Sequence, residues 1–105
     1  MTTPTTPTTV EPGQIWRDND QRTKGAGEFV VLAVVGLDGK RYGEISDSLR
    51  PRVEGAVTTA EKYAHWGWED MAVVNRGERL SVIRADRLLN GTNTQRGYTY
   101  LGMSR

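Results

Sequence analysis

The groups that could do chemistry in this chain are few. His65 is the only histidine and there is no cysteine, so one chain cannot build a metal site on two imidazoles, a histidine acid–base pair or a thiolate nucleophile. Ser46, Ser48, Ser81 and Ser104 could each be drawn into a triad with His65, but none sits in a nucleophile-elbow motif. Asp18-Asn19-Asp20 has the look of a calcium-loop start, yet Arg22 and Lys24 fall where further oxygen ligands are needed, so a turn with capping side chains is the simpler reading. Gly25-Ala26-Gly27 precedes a strand pattern rather than a helix, and no Gly-Lys-Ser or Gly-Lys-Thr follows a glycine-rich loop. Asn90-Gly91-Thr92 has the form of a glycosylation acceptor and reads more simply as a turn. The expectation is a protein with no catalytic residues, cofactor, metal or small-molecule substrate.

Two clusters rise above this background. Residues 1–70 carry eight basic against eleven acidic side chains, whereas residues 71–105 carry six arginines and two acids. Arg76, Arg79, Arg84 and Arg87 beside Tyr98 and Tyr100 would make a basic, aromatic face suited to a nucleic-acid backbone and its bases. The plainer reading is a solvated face with one arginine paired to Asp86 and another to Glu78. The second cluster is Tyr63, His65, Trp66 and Trp68. Tryptophan buries large area with little loss of rotamer freedom, so Tyr63, Trp66 and Trp68 could dock a partner protein or a second copy of the chain. The alternative is that one or both tryptophans cover the open end of a small sheet.

The elements that must position these clusters are short. Residues 1–10, with the repeat Thr2-Thr3-Pro4-Thr5-Thr6-Pro7, cannot bury enough surface to offset ordering and read as a disordered tail before a single domain over 11–105. Strands are expected at 14–17, 28–35, 40–45, 70–75, 80–84 and 97–101, punctuated by Asp38-Gly39, Gly77 and Asn90-Gly91. The run Phe29–Val35 is apolar on both faces and belongs in the middle of a sheet. Pro51, Gly55 and Gly67 interrupt residues 46–69, where Thr58-Thr59-Ala60-Glu61 resembles a capping box and allows one or two helical turns at 59–66. Ala85–Leu89 reads as a short helical turn.

Pro12-Gly13-Gln14-Ile15-Trp16-Arg17-Asp18-Asn19-Asp20, the apolar strand 29–35, Ala72-Val73-Val74-Asn75, Ile83-Arg84-Ala85-Asp86-Arg87-Leu88 and Gly97-Tyr98-Thr99-Tyr100-Leu101 together resemble a family of small uncharacterised proteins of actinobacteria and their bacteriophages. The resemblance implies a five-stranded, SH3-like small β-barrel without an assigned activity. It covers residues 12–35 and 70–101 and leaves about 36–69 as an insertion.

Composition agrees with that architecture. At 11.7 kDa, with 36% hydrophobic residues, twelve glycines and a net charge of +1, the chain suits one mainly β domain: a small, strongly bent antiparallel barrel of five or six strands whose insertion can hold a short helix. Ile15, Val31, Leu32, Val34, Val73, Val74, Leu80, Val82, Ile83 and Leu101 are the expected core. Ten such side chains at roughly 1.5–3 kcal/mol each little more than offset the ordering of a small domain, so self-association would help it. No run reaches the 18 or so apolar residues of a membrane span, and lack of cysteine fits the cytosol. The expected function is a non-enzymatic, phage-type accessory protein that contacts a host protein or itself, with nucleic acid as the alternative partner.

Overall fold

Alternation of apolar residues along short segments produces six strands in the computed structural model, which describes residues 7–19, 27–36, 39–66, 70–77, 79–90 and 97–103. They are β1 (Gln14–Asp18), β2 (Glu28–Gly36), β3 (Gly39–Tyr42), β4 (Met71–Arg76), β5 (Arg79–Arg84) and β6 (Tyr98–Met103). Two helices, α1 (Arg50–His65) and α2 (Ala85–Asn90), join β3 to β4 and β5 to β6. All pairings are antiparallel, in the order β5-β4-β2-β1-β6, with β3 also on β2. β2 is thus central, as its apolar character on both faces requires: β4 lies along one edge, and β1 and β3 share the other. This is the expected small, bent, antiparallel sheet of six strands in a mainly β fold.

Register irregularities bend it. One falls between Ile15 and Trp16 opposite β6, and another between Val31 and Ala33 opposite β4. An extra residue in one strand sharpens the local twist and shifts which face the following side chains meet. Val31 and Val34 therefore point to the same side, and Ala33 and Val35 to the other.

Two cores result. Inside the barrel, Trp16, Phe29, Val31, Val34, Ala72, Val74, Ile83, Leu88, Tyr98 and Tyr100 pack together. Trp16 is fully buried, its ring edge-on to Tyr100 at 5.2 Å and its Nε1 donating to Gln14 Oε1 at 3.2 Å. On the outer face, Leu32, Ala33, Val35, Met71 and Val73 pack against Val53, Val57 and Ala60 of α1. Six of the ten expected core residues are buried. Ile15, Leu80, Val82 and Leu101 are half-buried on the outer face, where α1 covers Leu80 and Val82.

Residues 36–69 correct the expectation most. The helix runs sixteen residues from Arg50, rather than one or two turns at 59–66. Pro51 sits in the first turn, where its missing N–H costs nothing, and Gly55 faces solvent. Thr58 and Thr59 cap no helix; mid-helix, their hydroxyls donate back to the carbonyls of Glu54 and Gly55. The segment is part of the folded body, because its Val53, Val57 and Ala60 complete the second core. Two contacts fasten β3 to this helix: Lys40 Nζ to Glu61 Oε1 at 2.8 Å, and Tyr42 OH to Glu54 Oε2 at 3.4 Å.

Val10, placed in the tail by the sequence, belongs instead to the folded domain. Val10 is 3% exposed within the barrel core, and the Thr9 carbonyl accepts from Gln14 Nε2. Residues 1–6 lie outside the described residues.

Candidate functional site

Strand alternation decides what the arginines can do together. Ala72 and Val74 face the barrel interior, so Arg76, two residues on, points the same way into its mouth. There its Nη1 donates to Asp18 Oδ2 at 3.3 Å, with the carboxylate side chain 5% exposed, and its guanidinium lies 5.0 Å from the Phe29 ring centroid. Arg84 pairs across the hairpin with Met71 and shares the outer face with it. It is bidentate to Asp86, Nε to Oδ1 at 3.1 Å and Nη2 to Oδ2 at 2.6 Å. Arg76 and Arg84 therefore stand on opposite faces and at opposite ends of the β4–β5 hairpin.

The expected single basic face does not form. The left-handed Gly77 (φ 81°) closes the hairpin and puts exposed Arg79 at its tip, while exposed Arg87 sits on α2 at the far end. Five residue steps along β5 separate Arg79 from Arg84, roughly 16 Å. Tyr98 and Tyr100 are 8% and 9% exposed, and their rings make edge contacts with Phe29 and Trp16 in the core. A nucleobase cannot stack on rings that are already packed. The expected pairing of an arginine with Asp86 is present; Glu78, Arg96 and Arg105 lie outside the described residues.

The aromatic cluster is arranged differently. Tyr63 lies on the last turn of α1, half-buried against the second core, and Trp66 caps the helix with its backbone N–H bonded to the carbonyls of Lys62 and Tyr63. The two rings meet edge to face at 5.7 Å. Trp66 is nonetheless 68% exposed, so it does not cover the barrel. Leu88, Val10 and Trp16 fill the interior instead. His65 is exposed next to it, and Trp68 lies outside the described residues.

Other concavities carry little chemistry. A groove of about 320 Å³ opens where β1 and β3 meet on the β2 edge, lined by Pro12, Gly13, Val30, Leu32 and Met103 with Glu44 as its one ionisable group. Gly43 lets the chain pass close there, since a Cβ would stand 3.0 Å from Pro12 Cβ, a tight contact. Asp18 and Asn19, the start of the calcium-like stretch, are engaged by Arg76 and by the Thr99 hydroxyl, which donates to Asn19 Oδ1 at 2.8 Å. Among the described residues no three His, Asp or Glu side chains gather as metal ligands. No described helix is long and apolar enough to cross a membrane.

Comparison of the chain with protein-family models, with curated proteins and with solved structures finds no match.

Proposed function

We propose that the chain is a non-enzymatic protein-interaction module, a cytosolic accessory protein of the actinobacterial or phage type its sequence resembles, and that it contacts a protein through the Tyr63–Trp66 pair. The observation that carries this reading is a tryptophan 68% exposed at the end of a helix whose other face is fully committed to the core. Tyr63 holds the indole edge-on, so its order is largely in place before a partner arrives, which lowers the entropy cost of binding. The nucleic-acid alternative is weakened by the same geometry: Arg76 and Arg84 already hold carboxylates, and both tyrosines are packed.

The test compares the chain, Trp66→Ala and the double variant Arg79→Ala/Arg87→Ala. Each is run by light scattering with single-stranded and duplex oligonucleotides at low and moderate salt, and each is used as bait in a host lysate. The expected result is no salt-sensitive shift with oligonucleotides, and a captured protein that the arginine variant retains and Trp66→Ala loses. An oligonucleotide shift that weakens with salt and disappears in the arginine variant would overturn it, since phosphate contacts are the salt-dependent ones.

A further inference from the structure

Asn90 is the last residue of α2 and is exposed, and Gly91 follows it in the sequence. The Cγ of an asparagine and the backbone nitrogen of the next residue can close a five-membered ring. Two obstacles ordinarily prevent it: a side chain on that next residue, and a backbone held inside a helix or sheet. Glycine has no Cβ to stand in the way. The α2 ladder stops at Asn90, and helices fray at their ends.

The other asparagines meet at least one obstacle. Asn75 is held in the sheet between Val30 and Leu80, and Arg76 follows it. Asn19 donates its N–H to the Gly97 carbonyl and accepts from Thr99 at Oδ1, and Asp20 follows it. Asn93 precedes Thr94, whose branched Cβ crowds the attacking nitrogen.

Asn90 also stands beside charge. With Arg84, Asp86 and Arg87 it lines a surface hollow of about 310 Å³. Both oxygens of Asp86 are committed to Arg84, while exposed Arg87 lies three residues before Asn90, one helical turn back.

We propose that Asn90 is a self-modifying site, deamidated without an enzyme to a carboxylate that Arg87 receives. Gly91 N bonds to Asn90 Cγ and gives up its proton, and the Cγ–Nδ2 bond breaks so that Nδ2 leaves as ammonia. Water then opens the succinimide. Cleavage between Gly91 N and Cγ gives aspartate on the original backbone. Cleavage between Gly91 N and the Asn90 main-chain carbonyl carbon gives isoaspartate, which routes the backbone through the side chain between α2 and β6. Either product takes up one water and releases one ammonia, with no oxidant or reductant. The formal charge of the chain falls by one from +1. A carboxylate at a helix C-terminus opposes the dipole, and the Arg87 guanidinium one turn back offsets this. The inference does not rest on the Tyr63–Trp66 reading.

The test incubates the full-length chain at neutral and mildly alkaline pH and follows it by ion exchange, peptide mapping by mass spectrometry and isoaspartate labelling. An acidic variant is expected to accumulate with time, faster in alkali because base removes the attacking N–H proton. Asn90 should convert severalfold ahead of Asn19, Asn75 and Asn93. Gly91→Ala should slow the conversion severalfold. Asn90→Gln, which would need a larger ring, should abolish it, and far-UV circular dichroism checks that both variants fold. Asn90→Asp, the product made directly, should keep the parent melting curve. Conversion first at another asparagine, a rate indifferent to Gly91→Ala, an acidic variant that persists in Asn90→Gln, or none after weeks would overturn the proposal. A lowered melting curve for Asn90→Asp would overturn the part given to Arg87.

Discussion

Arg76→Ala separates a structural arginine from a binding one. Its guanidinium reaches a carboxylate side chain that is 5% exposed, from a side chain itself 16% exposed, and also lies over Phe29. Removing the cation takes this ion pair from an Asp18 carboxylate that is almost fully buried in the barrel mouth. Breaking a buried pair from one side costs about 3–5 kcal/mol, and the partial exposure of Arg76 brings this to about 2–4 kcal/mol with the ring contact included. For a domain of this size that lowers Tm by roughly 10–25 °C. Arg79→Ala, at the exposed hairpin tip, should stay within about 0.5 kcal/mol of the parent. Thermal and urea unfolding followed by circular dichroism reads both. Asp18→Asn in the Arg76→Ala background should recover part of the loss, with a coupling of about 1–3 kcal/mol in the double-mutant cycle. Equal Tm values for Arg76→Ala and Arg79→Ala would refute the reasoning and return Arg76 to the set of solvated arginines.

Other expectations concern the helix and the aromatic residues. Val57→Ala, 2% exposed under the sheet, should cost about 1–3 kcal/mol in urea unfolding, against near zero for Thr58→Ala on the solvent side; equal small effects would mean the helix is only loosely docked. Trp16→Ala should lose about 3–5 kcal/mol and with it most of the folded population at 37 °C, while Trp66→Ala should leave the melting curve in place. The β3–α1 clasp should open in alkali. The hydrogen bond to Glu61 raises the Lys40 pKa from 10.5, and burial raises that of Tyr42 from 10.0. Both groups hold their protons more firmly folded than unfolded, so their contribution is complete below pH about 10 and falls as pH rises through the folded values. The difference in urea midpoint between the chain and Lys40→Met should therefore be present at pH 8 and gone at pH 12.

Much of the architecture was legible because it is local. Seven consecutive apolar residues flanked by turns could only be a strand covered on both faces, and Arg76-Gly77 could only turn a hairpin back along itself. The helix is legible too, in Leu49, Val53, Val57, Ala60 and Tyr63 at helical spacing, but Pro51 and Gly55 have the look of breakers. A proline in the first turn and a glycine on the solvent face disturb no hydrogen bond or packing, and only the position of α1 on the sheet shows that they stand there.

The candidate sites divide along the same line. Sequence alone determined the inventory: one histidine, no cysteine, an arginine-rich last third, an aromatic cluster at 63–68 and an uncharged final strand. Which of these groups share a surface was a tertiary decision. The two-residue period of β4 and β5 sends Arg76 inward and Arg84 outward, so residues eight apart in sequence never share a face. The same period turns Tyr98 and Tyr100 into the barrel beside Trp16 and Phe29, whereas Trp66, one residue past the end of a helix, has no core to enter. A chain records the types of its side chains, but whether each meets solvent, a carboxylate or another ring depends on which strands lie beside it.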